Sequence, residues 1–194
     1  MSVEVRLASP GDAAAVVALF ERSAVPCHCR FWHFEGTKND WLARCAFAPE
    51  ASARELDEAV GAGRRADGTG LVAVEGGEVR AWAKLMPHTA SRKLLGQGPY
   101  RTYYHNDPVD GLCLGCMLVE PAHRREGLAR ELTLGIPKAA RLLGARFVEA
   151  FPRVGHGPFA DEELWMGLTA HLEEAGFERA GGEPPYPIYR LDIR

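Results

Sequence analysis

Val3, Val5 and Leu7 alternate with Ser2, Glu4 and Arg6, a period of two that predicts a short half-buried strand. SPGD follows: Ser9 can cap a helix with Pro10 at its first position and Asp12 at its third, and AAAVVALFERS continues at helical spacing. After an aromatic and cysteine-rich stretch over residues 26–34, KNDWLARCAFA and SARELDEAVGAG predict two more short helices, a helical insert. GLVAVE and EVRAWAKLMP flank Gly76 and Gly77 as the arms of a β-hairpin. Residues 87–110 have no period and read as a long loop, of the kind that covers a site or moves. GLCLGCMLVE is an apolar strand running through PAHRREG into the helix GLARELTLGIPKAARLLG, with Leu128, Leu132, Leu134, Ala139, Leu142 and Leu143 apolar and Pro137 expected to interrupt and kink it. ARFVEAF is a buried strand, DEELWMGLTAHLEEAG a helix ended by Gly176, and PIYRLDI a last alternating strand. The order β-α-α-α-β-β-β-α-β-α-β, without repeat or linker, is that of one mixed α/β (α+β) domain over residues 1–194.

Composition narrows the classes of function. The 194 residues are 46% hydrophobic and 25% charged with a net charge of −3, a balance that supports a core. Acidic and basic residues are interspersed, so no basic stripe marks a nucleic-acid binder. There is no apolar run of about 18 residues for a membrane span, and MSVEVRLASPGD lacks the regions of a signal peptide. The expectation is a cytoplasmic protein with neither nucleic acid nor membrane as partner. Five cysteines, an odd number, argue against a disulfide framework and for reduced thiols. Nineteen arginines against four lysines read as coding bias.

Chemistry concentrates in Met117 to Arg130, MLVEPAHRREGLAR, where a strand, a Pro-started turn and a glycine at a helix start meet. Free amides at a helix N-terminus favour an anion. Gly127 lets a phosphate approach the backbone, and Arg124, Arg125 and Arg130 bring positive charge. The same residues also fit a plain βα turn with solvated arginines.

VEPAHRREGLA resembles the acyl-CoA-binding signature of the GNAT superfamily of N-acetyltransferases, V-x-P-x-x-(R/Q)-x-x-G-x-(G/A), through Val119, Pro121, Arg124, Gly127 and Ala129. HLEEAGFE is similar to that family's closing helix and GF turn, and the order of elements agrees over most of the chain. The resemblance implies a mixed sheet splayed between its fourth and fifth strands, with acetyl-CoA in the gap as acyl donor. Met117, Leu118 and Val119 would then hydrogen-bond the pantetheine arm and thioester through their backbone. Arg124 and the run Arg125, Glu126, Gly127, Leu128, Ala129 and Arg130 would wrap the pyrophosphate, chiefly with main-chain N–H groups. The implied reaction is direct attack of a primary amine on the thioester, which requires a base, an oxyanion site and a proton for the leaving thiolate. Glu149 in ARFVEAF stands where several members place that base; alternatively it pairs with a nearby arginine.

Two positions depart from the family. The tyrosine common five residues before the Phe of the GF turn is Leu172, and the Asn often found seven residues earlier is Trp165. Tyr186, Tyr189, Tyr100, Tyr103 or Tyr104 could replace the hydroxyl, as could solvent. These losses keep a second reading open, a catalytically weak acyl-CoA-binding or regulatory domain. Homodimers are common among such proteins, but no interface is written in this sequence.

Cys27-His28-Cys29 with His33, and Cys113-x-x-Cys116, have the residue types of a zinc site. Residues three apart on a strand point to opposite faces, which separates Cys113 from Cys116, and Cys27 and Cys29 lack a second ligand pair, so no metal is expected. Phe31, Trp32, Phe34 and Trp41 either line an acceptor pocket or form the core of the insert. His88, His105 and Asp107 in the long loop, and His156 after the fifth strand, are candidates to face the acceptor or solvent.

Overall fold

The computed structural model describes residues 3–63, 68–101, 103 and 110–194; Ser2, Tyr104, His105 and Asp107, singled out above, lie outside the described residues. The first strand, β1 (Glu4–Leu7), leads through a single 3-10 turn into α1 (Ala13–Arg22). The Asp12 carboxylate fixes that junction, accepting from the Ser9 amide (2.7 Å) and hydroxyl (2.6 Å) while pairing with both terminal nitrogens of Arg6. The insert follows as α2 (Lys38–Phe47), capped by Thr37 Oγ1 on the Asp40 amide, and α3 (Pro49–Gly61). The hairpin is β2 (Gly70–Glu75) and β3 (Glu78–Pro87), turning on Gly76 and Gly77, both left-handed as a tight turn requires.

Within the stretch expected to be a loop, residues 88–95 are structured, with a 3-10 turn and the short α4 (Arg92–Leu95), whose Leu94 and Leu95 are buried. Then come β4 (Gly111–Val119), α5 (Leu128–Leu142) and β5 (Phe147–Ala150). The helix α5 runs through Pro137 without a break, since a proline removes one backbone bond while Leu132, Ile136, Ala139 and Ala140 keep their places in the core. The expected long helix over 161–176 is shorter. A 3-10 turn at Asp161–Glu163 gives way to an extended stretch, and only α6 (Thr169–Glu174) is helical, because Gly167 is left-handed (φ +93°) and Leu168 is extended. Gly176 ends that helix as expected, in the left-handed conformation. A strand absent from the sequence reading, β6 (Glu178–Gly181), precedes β7 (Ile188–Asp192); its four residues have no apolar alternation to reveal them.

Among the described residues, seven strands form one mixed sheet in the order β1-β2-β3-β4-β5-β7-β6. All neighbours are antiparallel except β4 and β5. Leu128, Leu132 and Ile136 of α5 cover one face of the sheet, against Leu71, Ala83 and Leu114. Phe20 and Leu19 of α1 and Leu56 of α3 cover the other, against Trp82 and Leu118. Burial from both sides explains why β4 reads as an unbroken apolar run. No helix of the described residues is long and apolar enough to cross a membrane.

Candidate functional site

Strands β4 and β5 pair only from Gly111–Phe147 to Cys113–Glu149, after which β4 continues for six residues, to Val119, paired with β3 but not with β5. An extra residue enters β4 at this parting: Leu85 faces Leu114 and Lys84 faces Cys116, which leaves Gly115 as a bulge. The bulge corrects the expectation for the cysteine pair. Cys113 lies opposite Met86 and Cys116 opposite Lys84, two residues apart on β3, so both cysteines point to one face. The Gly115 carbonyl accepts from Trp32 Nε1 at 2.8 Å. Beyond the bulge, the Glu120 amide donates to Arg80 on β3 and the Met117 amide points the other way, donating to Trp165 O at 2.7 Å. Strand alternation then aims the Val119 amide toward the open edge and that of Leu118 toward β3.

From this edge the chain turns at Pro121–His123 into α5, with Arg125 (φ +67°) and Gly127 (φ +89°) both left-handed and Gly127 at the N-cap. A Cβ at Gly127 would meet no atom within 4 Å, so its glycine serves the backbone conformation rather than a close contact. The arginines of this turn have acidic partners from the segment before α6. Arg124 Nη1 lies 2.9 Å from Glu162 and 3.5 Å from Asp161, and Arg125 Nη2 lies 2.5 Å from Asp161. Arg130 is paired with Glu174 and Glu131. The Arg124 guanidinium holds the Glu162 carboxyl below the usual carboxylate range.

Between these elements is a cavity of about 620 Å³. Gly115 to Val119, Arg124, Arg125 and Gly127 to Arg130 form one wall; Asp161, Glu162, Leu164, Trp165, Gly167, Leu168 and His171 form the other. Phe20, Val25, Cys27, Cys29, Phe31 and Trp32 line the remainder. Trp165 stacks on Trp32 at 5.6 Å between ring centroids, so the 161–171 side joins the 25–32 segment through aromatic rings. Desolvation lowers the pKa of His171, opposed by Glu174 and assisted by Arg130.

Beside Trp32 sits a group of thiols. The fully buried Lys84 donates from Nζ to the Cys29 carbonyl at 3.0 Å. Burial alone would raise the Cys29 thiol, but a hydrogen bond from the Cys116 thiol and the Lys84 ammonium bring it below the ordinary range. Burial pushes Cys27 up to about 11 instead. These cysteines and His28 and His33 do not converge as a ligand set; among the described residues, the group whose ligand atoms come within 4.8 Å of one another is Glu75, His123 and Glu126.

The structure thus brings Met117, Leu118, Val119, Arg124, Arg125, Gly127, Leu128, Ala129 and Arg130 to one cavity, with Glu126 exposed on the same turn. Glu149 is at the parting of β4 and β5 but not in the cavity wall. It is buried, 3.1 Å from His88 Nε2 and 3.6 Å from Arg190 Nη1. Phe31 and Trp32 line the cavity, whereas Phe34 and Trp41 pack on each other. Tyr100 is buried against Phe151, Tyr189 donates to Glu173, and neither they nor Tyr103 and Tyr186 line the cavity; Leu172 is core and His156 is exposed. Sequence reasoning missed Asp161, Glu162 and His171; the arginine partners of Asp161 and Glu162 lie 36 and 38 residues away, beyond any local pattern.

No family model and no curated protein matches the chain. Solved structures do. A PaiA N-acetyltransferase from Thermoplasma acidophilum in complex with coenzyme A aligns over 100% of both chains at 11% identity and a TM-score of 0.57. An acetyltransferase of the GNAT family from Desulfovibrio desulfuricans aligns over 100% of both at 20% identity and 0.53. The aminoglycoside acetyltransferase AAC(6')-Ib, in complex with coenzyme A, covers 98% of this chain and 95% of its own at 18% identity and 0.52. With its parted β4 and β5 inside a mixed sheet, this chain has the GNAT fold.

Proposed function

We propose that the protein is an N-acetyltransferase that moves an acetyl group from acetyl-CoA to the primary amine of a small molecule or peptide, within one catalytic unit over residues 1–194. The observation that carries this reading is the free edge of β4, which leads directly into the left-handed Gly127 at the N-terminus of α5 along the wall of a ligand-sized cavity. Pantetheine amides would pair with the outward backbone of Met117 and Val119. The pyrophosphate would meet the first amides of α5 together with Arg124, Arg125 and Arg130. Titration of the protein with acetyl-CoA in a calorimeter, followed by release of free CoA with a panel of amines, tests both halves: heat without amine-dependent release selects the binding module instead.

Glu149 belongs to the proposal as the base. Its place at the parting of the strands supports that role, and its contacts with His88 and Arg190 supply a structural alternative. With Glu149→Gln, loss of the acidic limb of the pH–rate profile is expected. An unaltered profile with a lowered melting temperature would leave Glu149 as an ion-pair partner only.

A further inference from the structure

The cavity differs in character from one end to the other. The charged groups that line it gather at the start of α5 and on the 161–171 segment facing it, and both carboxylates there, Asp161 and Glu162, are taken by Arg125 and Arg124. Around the Gly115 bulge the lining is aromatic instead. Trp32 donates from Nε1 to Gly115 O at 2.8 Å, Phe31 meets Trp32 edge-on with ring centroids 4.8 Å apart, and Trp165 stacks on Trp32. Trp165 keeps 37% of its surface exposed, so part of its indole is open to a further ring. The charged groups in contact with residues 29–32 are mostly cations. The fully buried Lys84 donates to the Cys29 carbonyl at 3.0 Å, and Lys93 Nζ lies 4.3 Å from the centre of the Phe31 ring. Arg30 pairs with Glu55, a carboxylate that it shares with Arg44. Beside cations and away from water an ammonium loses its proton more easily, and the free base is the form that attacks a thioester. A second ammonium on the same molecule would be buried without a counter-charge, which is costly.

Resting on the reading that acetyl-CoA lies along β4 with its thioester at the Gly115 bulge, we propose that the acceptor is an arylalkylamine: a primary amine on a short arm from a flat apolar ring, with no second cationic group. The ring lies against Trp165 and Trp32, and the amine reaches the bulge from the 25–32 side. Its nitrogen attacks the thioester carbon directly; the carbon–nitrogen bond forms and the carbon–sulfur bond to CoA breaks. The nitrogen gives up one proton to the base and the CoA thiolate takes one from water, so the products are an N-acetyl amide and CoA. Polyamines and aminosugars carry several ammonium groups and find no carboxylate at this end among the described lining residues.

The test uses the whole protein. Calorimetry with acetyl-CoA comes first, and absence of binding overturns the donor reading on which the proposal rests. Where acetyl-CoA binds, release of free CoA is followed at saturating acetyl-CoA with 2-phenylethylamine, tryptamine, propylamine, spermidine and the aminoglycoside kanamycin. The two ring amines are expected to have kcat/KM at least ~100-fold above spermidine and kanamycin, and ~10-fold above propylamine, which lacks the ring. Trp165→Ala should raise KM for 2-phenylethylamine and bring it within about twofold of propylamine; an equal loss for both amines would remove Trp165 from the acceptor site. Spermidine or kanamycin as the better substrate would overturn the proposal, as would bound acetyl-CoA with no CoA released by either ring amine. The panel on the unsubstituted protein decides the matter even where Trp165→Ala fails to fold.

Discussion

The two walls of the cavity are built in different ways. The β4–α5 wall is a single stretch, Gly115 to Arg130, and the groups it offers are mostly backbone: outward amides on a strand edge and free amides at a helix start. The facing wall is assembled from side chains of two distant segments, residues 25–32 and 161–171, joined by the Trp32–Trp165 stack. Under the proposed function the first wall would select the group that binds, since strand register and the left-handed Arg125 and Gly127 set its geometry. The second would govern how readily that group enters, because its carboxylates already occupy the arginines and its Trp165 carbonyl already takes the Met117 amide.

Gly127→Glu gives the largest expected effect and acts on the first wall alone. Nothing lies within 4 Å of the added Cβ, so the fold should survive; forcing a non-glycine residue into this conformation costs roughly 1–2 kcal/mol, a drop of a few degrees in melting temperature. The carboxylate stands at a helix N-terminus where a pyrophosphate would lie. Calorimetry should find acetyl-CoA binding weakened by about 100-fold or beyond detection. Unchanged affinity would mean that the β4–α5 wall is only a turn with solvated arginines.

Trp32→Phe comes next and acts where the walls meet. A smaller aromatic ring remains, but the indole N–H that satisfies Gly115 O is lost, and a buried carbonyl without its donor costs about 1–3 kcal/mol. Chemical denaturation should show that loss, with a several-fold weaker acetyl-CoA complex if the bulge shapes the thioester end. A loss of stability with no change in affinity would show that the second wall supports the bulge without affecting what binds there.

The difference between the walls also explains what could be read in the sequence. The strand–turn–helix of residues 111–142 is written locally: a doubly buried strand reads as an apolar run, and the glycine where φ is positive stands where the resemblance to the acyl-CoA signature places it. Pairings across long separations carry none. Asp161 and Glu162 look like an acidic helix start until tertiary structure places them on Arg124 and Arg125. The bulge at Gly115 is similarly invisible. One added residue reverses the face of everything beyond it, which is why a strict two-residue alternation separated Cys113 from Cys116 when the fold places them together. Glu149 was legible as a buried carboxylate at the parting, but its partner His88 lies in a segment without periodicity.

Asp161→Asn combined with Glu162→Gln sharpens the comparison on the side of entry. Both carboxylates engage arginines that a pyrophosphate would also use, so binding has to exchange one anion for another. Removing them should tighten acetyl-CoA by roughly two- to tenfold at low salt, and the gain should shrink as salt rises because these pairs are exposed. Weaker binding in the double variant would assign the carboxylates the opposite role, holding the arginines in place for the ligand.

The smallest effect concerns His171, which lines the facing wall near Arg130. Desolvation lowers its pKa in the free protein, so at neutral pH the imidazole is mostly uncharged. An anion bound beside it would favour the protonated form and raise that pKa. Binding therefore takes up a fraction of a proton, and by linkage acetyl-CoA affinity must increase as pH falls through the region where His171 titrates. Between about pH 8 and pH 6 the expected gain is ~3-fold, and His171→Gln should flatten it while leaving affinity at pH 8 nearly unchanged. The CoA phosphates titrate in the same range, so the difference between the two proteins, rather than either slope alone, measures the histidine's part. A pH dependence identical in both would show that His171 closes the cavity without taking part in holding the anion, and would confine recognition of the phosphates to the β4–α5 wall.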